Sequence, residues 1–163
     1  MALVLLAPLG IAWFDAQGDA LHHLLDPRMS GFVLAIVTFA LTGSEMVRRC
    51  RADRDQVGVR EGFAIVTFGW AAIALIGTLP LFVFMLATPG VTSATRIFPI
   101  FTDAFFEIMS GFTTTGASVI ADVESLPRGI LFWRSLTHWL GGMGIVTLAL
   151  ALFPAFGVAA YQI

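Results

Sequence analysis

The sequence contains no lysine and one cysteine, Cys50, and only 12% of its residues are charged. A single cysteine cannot form a disulfide within the chain, and alone it cannot supply a metal cluster. Soluble globular domains contain about 25% charged residues, so this chain has little charge with which to cover a water-exposed surface. These shortages exclude an internal disulfide framework and a cysteine metal site, and they argue against an ordinary soluble domain.

Motifs of hydrolytic enzymes are missing as well. The chain has no His-Glu-x-x-His, no Gly-x-Ser-x-Gly and no pair of aspartates within an apolar segment. Such arrangements hold a zinc ion, an activated serine or two catalytic carboxylates. We therefore expect no enzymatic activity and no cofactor.

Apolar residues dominate the composition: 58% of the chain is hydrophobic, and its mean hydropathy is +0.88. Three long apolar runs, at 29–47, 63–87 and 129–153, each reach the roughly 20 residues needed to cross a bilayer. Residues 2–14 are equally apolar but too few to span, so we interpret them as part of a truncated first span. The composition predicts an all-α integral membrane protein with the lipid bilayer as its environment.

The nine basic residues are all arginines, and most of them lie in one loop between the runs at 29–47 and 63–87. Loops rich in arginine stay on the cytoplasmic side of a membrane. This loop is therefore predicted to be cytoplasmic, and alternation of the spans then places residues 88–128 outside. The arginines of the loop are Arg48, Arg49, Arg51, Arg54 and Arg60.

A polar run from Ser110 to Ser118 interrupts the apolar sequence. Its backbone polar groups would cost several kcal/mol each if they faced lipid, so the run must be buried in protein or line water. A helix is predicted at 101–112, which begins before this run and includes its first residues, and it is too short to cross a bilayer of about 30 Å. A short helix that enters the membrane before an extended Thr-Thr-Gly segment is typical of cation filters, in which backbone carbonyls replace the ion's water.

The candidate filter covers residues 113–118. Carbonyls that all face one axis require unusual backbone angles, which Gly116 can adopt at little steric cost, and the Thr114 hydroxyl could contribute at one mouth. The alternative interpretation is a polar loop that merely joins two helices. The residues of the candidate filter are Thr113, Thr114, Thr115, Gly116, Ala117 and Ser118.

Four ionisable residues lie near this run, in two pairs that are each four positions apart on one helix face. Asp103 and Glu107 would give a negative potential at the outer mouth, with Asp103 near the positive end of the short helix. Alternatively they form a cap and a partner for an arginine, which we favour for Glu107. Arg134 and His138 lie at membrane depth near a helix end. They are expected to snorkel to the interface or to pair with acids, and the alternative for His138 is a transport or proton-linked role.

The last apolar run contains Gly141, Gly142 and Gly144, which are expected to allow close helix packing or, alternatively, a gating hinge. Ser125 is predicted to cap this helix, with Pro127 in its first turn. Trp133, like Trp13 and Trp139, is interpreted as an interfacial belt residue.

Four stretches resemble the bacterial Trk/Ktr potassium transporters, specifically the TrkH/TrkG-type membrane subunit. The resemblance implies uptake of K⁺ across the bacterial inner (plasma) membrane, with K⁺ held at Thr114, Thr115 and Gly116. It covers the short helix, the filter and the last helix closely, and the rest loosely. The matching stretches are 101–107, 110–117, 126–127 and 138–145.

The resemblance also implies an architecture in which four outer-helix, pore-helix and inner-helix units surround one pore. Residues 1–61 correspond to an N-terminal helical hairpin and residues 62–163 to the first unit, with an outer helix at 62–88, the pore helix at 101–112 and an inner helix at 129–153. The chain is therefore expected to be a fragment of a four-repeat transporter.

The implied partners are the remaining repeats, a second copy of the transporter and a cytosolic nucleotide-binding subunit of the TrkA type, with no nucleic acid. Two alternatives stay open. One is a channel of four copies of this single repeat, and the other is a membrane scaffold that conducts nothing.

Overall fold

A computed structural model describes residues 1–15, 26–49, 59–88 and 96–152. These ranges contain six α-helices and no β-strand, as the composition predicted. The helices are α1 (Leu6–Asp15), α2 (Pro27–Arg49), α3 (Val59–Gly77), α4 (Leu79–Ala87), α5 (Ile97–Phe112) and α6 (Arg128–Leu152). The predictions for Cys50, Arg51 and Arg54 and for the end of the last helix at Phe153 lie outside the described residues.

Within the described ranges, two segments are long and apolar enough to cross a membrane by length and composition. They are α2 and the combined segment Arg60–Ala87, which joins α3 to α4. At a rise of 1.5 Å per residue, the 28 residues of the second segment reach about 42 Å. Both correspond to predicted spans. The 25 residues of α6 are also long enough to cross, at about 37 Å.

The junction of α3 and α4 is a helix interruption at Thr78, two residues before Pro80. A proline within a helix lacks an N–H and pushes away the carbonyl one turn before it, which breaks the hydrogen-bond ladder. Here the buried indole of Trp133 donates a hydrogen bond to the Gly77 carbonyl oxygen over 2.9 Å. A side chain of α6 therefore stabilises the backbone at the junction of α3 and α4.

Trp133 also forms part of the apolar core. Its side chain is fully buried, and its ring packs edge-on against Phe112, with 6.4 Å between ring centroids. The prediction that Trp133 is a belt residue is wrong, because its hydrogen-bond partner lies inside the protein and not at a membrane surface. Trp13 and Trp139 are exposed, at 44% and 62%.

The short helix α5 is longer than predicted, since it begins at Ile97 and has 16 residues. Pro99 lies in the first turn of α5, where proline is tolerated because the backbone N–H there has no intrahelical acceptor. At about 24 Å, α5 still does not reach across a bilayer. Asp103 now falls in the second turn, and no acidic residue lies in the first, so its predicted place at the helix's positive end is wrong.

The start of α6 also differs in detail. Ser125 was predicted as its N-cap, but the Ser125 hydroxyl donates to the carbonyl oxygen of Asp122 over 2.9 Å. Instead, the Pro127 carbonyl accepts the first helical hydrogen bond, from Leu131 N–H at 3.0 Å. Pro127 suits this place because its fixed φ leads directly into a helix.

Helix α1 packs against α2 and the beginning of α6. A side chain at Gly129 would have its Cβ 2.9 Å from the Cβ of Ala12, so these two helices approach closely. Arg128 pairs with Asp15 at 3.8 Å in the same region. The residues around Gly129 therefore fix α1 against the first turn of α6.

Candidate functional site

The candidate filter segment, residues 113–118, follows α5 without an intervening loop. Its first N–H groups close the end of that helix, where carbonyls would otherwise lack partners. Three backbone N–H groups of the segment donate to carbonyl oxygens of α5, each over 2.9 Å. The donors and acceptors are Thr113 to Met109, Thr114 to Gly111 and Thr115 to Ser110.

Two residues of the segment have positive φ angles: Thr114 at 57° and Gly116 at 76°. Gly116 was predicted to need such an angle, and glycine adopts it without strain. Thr114 is β-branched, for which a left-handed backbone is uncommon and costs roughly 1–2 kcal/mol. The backbone thus turns twice within three residues, which an ordinary extended strand does not do.

Ser110 anchors the segment from inside α5. Its hydroxyl donates to the carbonyl oxygen of Ala117 over 2.8 Å, while its own carbonyl oxygen accepts from the N–H groups of Thr115 at 2.9 Å and Gly116 at 3.4 Å. The Thr113 and Thr115 hydroxyls lie 2.8 Å apart. Ser110 was not among the residues predicted to form the filter, although it is the first residue of the polar run and lies three positions before the segment.

Glu107 holds the far end of the segment. One carboxylate oxygen, Oε1, accepts from the Ser118 hydroxyl at 2.7 Å and from the backbone N–H groups of Val119 at 2.6 Å and Ile120 at 3.3 Å. The other, Oε2, accepts from Arg134 Nη2 at 2.6 Å and Nε at 3.0 Å. The Glu107 side chain is fully buried, and that of Arg134 is 13% exposed.

The favoured interpretation of Glu107, as a partner for an arginine, is therefore confirmed, and the arginine is Arg134. Pairing with an acid was one of two expected states of Arg134, the other being a side chain that snorkels to the membrane interface. A buried carboxylate whose charge is matched by a guanidinium contributes little potential at a distance, so the structure does not support a role for Glu107 at the outer mouth. The role of Asp103 there stays a prediction.

His138 lies beside the candidate filter segment. Its Nδ1 is 2.8 Å from the carbonyl oxygen of Arg134, which can only accept, so this nitrogen carries the proton. The other ring nitrogen, Nε2, would lie 3.9 Å from a Cβ placed on Gly116. The transport or proton-linked role of His138 stays a prediction.

The glycines of α6 divide into two kinds. A Cβ on Gly141 would lie 2.2 Å from the carbonyl oxygen of Phe112, and one on Gly144 would lie 2.0 Å from the Trp70 ring. These two glycines therefore serve close packing. A Cβ on Gly142 would only touch the Thr114 methyl at 3.9 Å, so Gly142 has room for a side chain.

A similar close approach joins α5 to α6 one turn earlier. A Cβ on Gly111 would lie 2.1 Å from the Thr137 hydroxyl oxygen. Together with Gly141, this brings the end of α5 into backbone contact with the middle of α6. These contacts fix the end of α5, and with it the start of the candidate filter segment, at one position along α6.

Residues 28–163 match the sequence profile of a family described as TrkH, cation transport protein. The chain belongs to the TrkH family. Among its relatives, the Trk system potassium uptake protein TrkH of Halomonas elongata is 41% identical over 133 residues, which cover 82% of this chain and 26% of the relative. The TrkH protein of Escherichia coli K12 is 42% identical over 113 residues, or 69% of this chain and 21% of the relative.

A more distant TrkH-family relative matches along the whole chain. This protein, the potassium uptake protein TrkI of Halomonas elongata, is 29% identical over 165 residues, or 29% of its own length. The chain thus spans about a quarter of the length of the curated relatives it matches. No solved structure matches it. Among the described residues, no group of three or more metal-ligating side chains could hold a metal ion.

Proposed function

We propose that this chain forms one wall of a K⁺-selective uptake pathway across the bacterial inner membrane, with residues 113–118 as the filter. In this proposal α3 and α4 form the outer helix, α5 the re-entrant pore helix and α6 the inner helix of one pore unit. The backbone carbonyls of Thr114, Thr115 and Gly116 bind K⁺ in place of its water. Potassium is the ion named for the relatives.

One observation carries the proposal: the filter segment is an irregular backbone between helices, with positive φ at Thr114 and Gly116. All six of its residues are exposed in the isolated chain. Non-helical backbone at membrane depth is tolerated only where protein covers it or where it lines a water-filled cavity. A segment that lines a cation path meets this requirement.

The complete pathway needs further walls. We propose that the remaining pore repeats, the second copy of the transporter and a cytosolic nucleotide-binding subunit of the TrkA type complete it, and that residues 1–61 form a separate hairpin beside the first repeat. The short extent of this chain relative to its relatives supports further repeats within a longer polypeptide. In the proposed orientation, the arginine-rich loop is cytoplasmic and the filter faces outwards.

Replacing Gly116 by serine in the complete protein is expected to lower the ratio of K⁺ to Na⁺ uptake by about tenfold. A side chain at φ 76° is strained by roughly 1–2 kcal/mol, and every 1.4 kcal/mol corresponds to a factor of ten. Uptake of both ions is measured in cells that lack their own K⁺ uptake systems. Gly43→Ser is the control, because a Cβ at Gly43 meets nothing within 4 Å. An unchanged ratio in the Gly116 variant would contradict the filter.

Water access separates a conducting filter from a scaffold that conducts nothing. With Cys50 replaced by serine, cysteines placed at Thr114 and Ala117 in the complete protein are expected to react with an aqueous thiol reagent and to lose cation uptake on reaction. A cysteine at Ala74, which is fully buried, serves as the unreactive control. Lack of reaction at both filter positions, with uptake intact after treatment, would favour the scaffold.

A further inference from the structure

We infer that Glu107 is a positioning residue for ion selectivity, because its buried carboxylate fixes the far end of the filter segment to α5 and α6. This inference rests on the proposed function. It concerns the groups behind the filter, which do not themselves contact the ion.

The carboxylate is matched to its donors. Val119 and Ile120 present backbone N–H groups, and Arg134 presents a guanidinium, which are all groups that can only donate. A carboxylate offers two oxygens and about four lone-pair sites, all of them acceptors. The glutamine amide has nearly the same shape but one acceptor oxygen only, so it cannot satisfy both the backbone side and the arginine side.

The two anchors of the filter segment lie one helical turn apart. Ser110 binds Thr115 N–H and the Ala117 carbonyl, and Glu107 binds the Ser118 hydroxyl and the next two N–H groups. Both anchors belong to α5, so the segment is fixed to this one helix at two places. Gly116 lies within the Ser110 anchor, since its N–H also reaches the Ser110 carbonyl oxygen at 3.4 Å. The two anchors meet at the peptide bond between Ala117 and Ser118.

Selectivity follows from this arrangement. A carbonyl-lined filter distinguishes ions by the positions and number of its oxygens. Release of the far anchor would free Ser118 and the two residues after it. The peptide group between Ala117 and Ser118 could then shift, because only the Ser110 hydroxyl would still hold the Ala117 carbonyl, while the packing of α5 on α6 remains. We therefore expect the discrimination between ions to fail before the fold does.

The charge of the pair adds a second effect. Arg134 lies close to the filter segment through the shared carboxylate, and Glu107 neutralises it. Without that carboxylate, an uncompensated positive charge remains beside the cation path and repels cations. Substitution of Glu107 is therefore expected to lower total cation uptake as well as selectivity.

The experiment is Glu107→Gln in the full-length protein, with uptake of K⁺ and Na⁺ measured per amount of protein in the membrane. The expected result is a K⁺ to Na⁺ ratio reduced about tenfold or more, the scale on which loss of a charged hydrogen bond acts. The matched control is Glu45→Gln, since Glu45 pairs with Arg48 and Arg49 on the protein surface. Its ratio is expected to equal that of the wild type.

The variant Ser118→Ala tests the same contact more gently, because it removes one donor and leaves the carboxylate and Arg134 in place. It is expected to lower the ratio in the same direction but by less. If Glu107→Gln protein does not accumulate in the membrane, this variant decides the question. A double variant, Glu107→Gln with Arg134→Gln, is expected to regain total uptake but not the K⁺ to Na⁺ ratio.

Two outcomes would overturn the inference. One is Glu107→Gln protein with a wild-type K⁺ to Na⁺ ratio, whatever its amount in the membrane, and the other is a wild-type ratio in Ser118→Ala when Glu107→Gln protein does not accumulate. The filter itself is judged by Gly116→Ser. If that variant loses selectivity and the Glu107 and Ser118 variants keep it, only the positioning role fails. If none of them changes the ratio, the proposed function fails as well.

Discussion

Replacement of Gly141 by alanine is expected to abolish cation uptake, whereas the same change at the adjacent Gly142 leaves uptake near the wild-type level. A Cβ at Gly141 would lie 2.2 Å from the Phe112 carbonyl oxygen and 2.8 Å from its carbon. These atoms belong to the backbone at the end of α5, which cannot rotate away as a side chain would. Overpacking of this kind costs about 1–3 kcal/mol or more, and relief of the clash displaces the start of the filter segment.

The pair of variants is closely matched. Both remove a glycine from the same helix, so both gain about the same helix propensity, and a Cβ at Gly142 makes only ordinary contact with Thr114. Uptake of K⁺ and protein amount are measured side by side for the two variants. Equal uptake in both would show that the close approach of α5 to α6 is not needed for transport.

Truncation of Trp133 to alanine is expected to destabilise the complete protein by about 3–5 kcal/mol, the usual cost of removing a large buried aromatic side chain. Trp133 is fully buried against Phe112 and binds the Gly77 carbonyl. The change leaves a cavity between the three helices that meet there. The free energy of unfolding is measured by equilibrium denaturation in mixed detergent micelles.

Two companion variants separate packing from hydrogen bonding. Trp133→Phe keeps most of the ring but leaves the Gly77 carbonyl without the indole N–H, so a smaller loss of about 1–3 kcal/mol is expected. Trp139→Ala is the control, because Trp139 is largely exposed in the same helix. If Trp139→Ala lowered the free energy of unfolding as much as Trp133→Ala does, burial of the side chain would not explain the loss of stability.

The sequence was sufficient to predict what depends on local composition. Long apolar runs identified α2, the joined α3 and α4, and α6. The polar run after a short apolar segment identified α5 and the irregular backbone that follows it. The positive φ at Gly116 also followed from residue type, because glycine alone adopts it without strain. Membership of the Trk family, predicted from the filter and glycine motifs, is confirmed by the family match.

Features that depend on contacts between distant helices could not be predicted in the same way. A tryptophan in an apolar run can lie at the membrane interface or in the protein core, and its residue type does not distinguish the two. Trp133 lies in the core because its indole N–H finds an acceptor there, the Gly77 carbonyl oxygen near Pro80. The positive φ at Thr114 contradicts its residue type, so no local rule predicts it. For Glu107, sequence spacing indicated a partner arginine but not the three donors from residues 118–120.

The Glu107 contacts also have a consequence for the order of folding. Every group bound by this carboxylate lies within 27 positions of it along the chain. Contacts of such short sequence separation close small loops at low entropic cost and form early. The contacts that hold the end of the candidate filter segment can therefore form as soon as α6 has been inserted during synthesis.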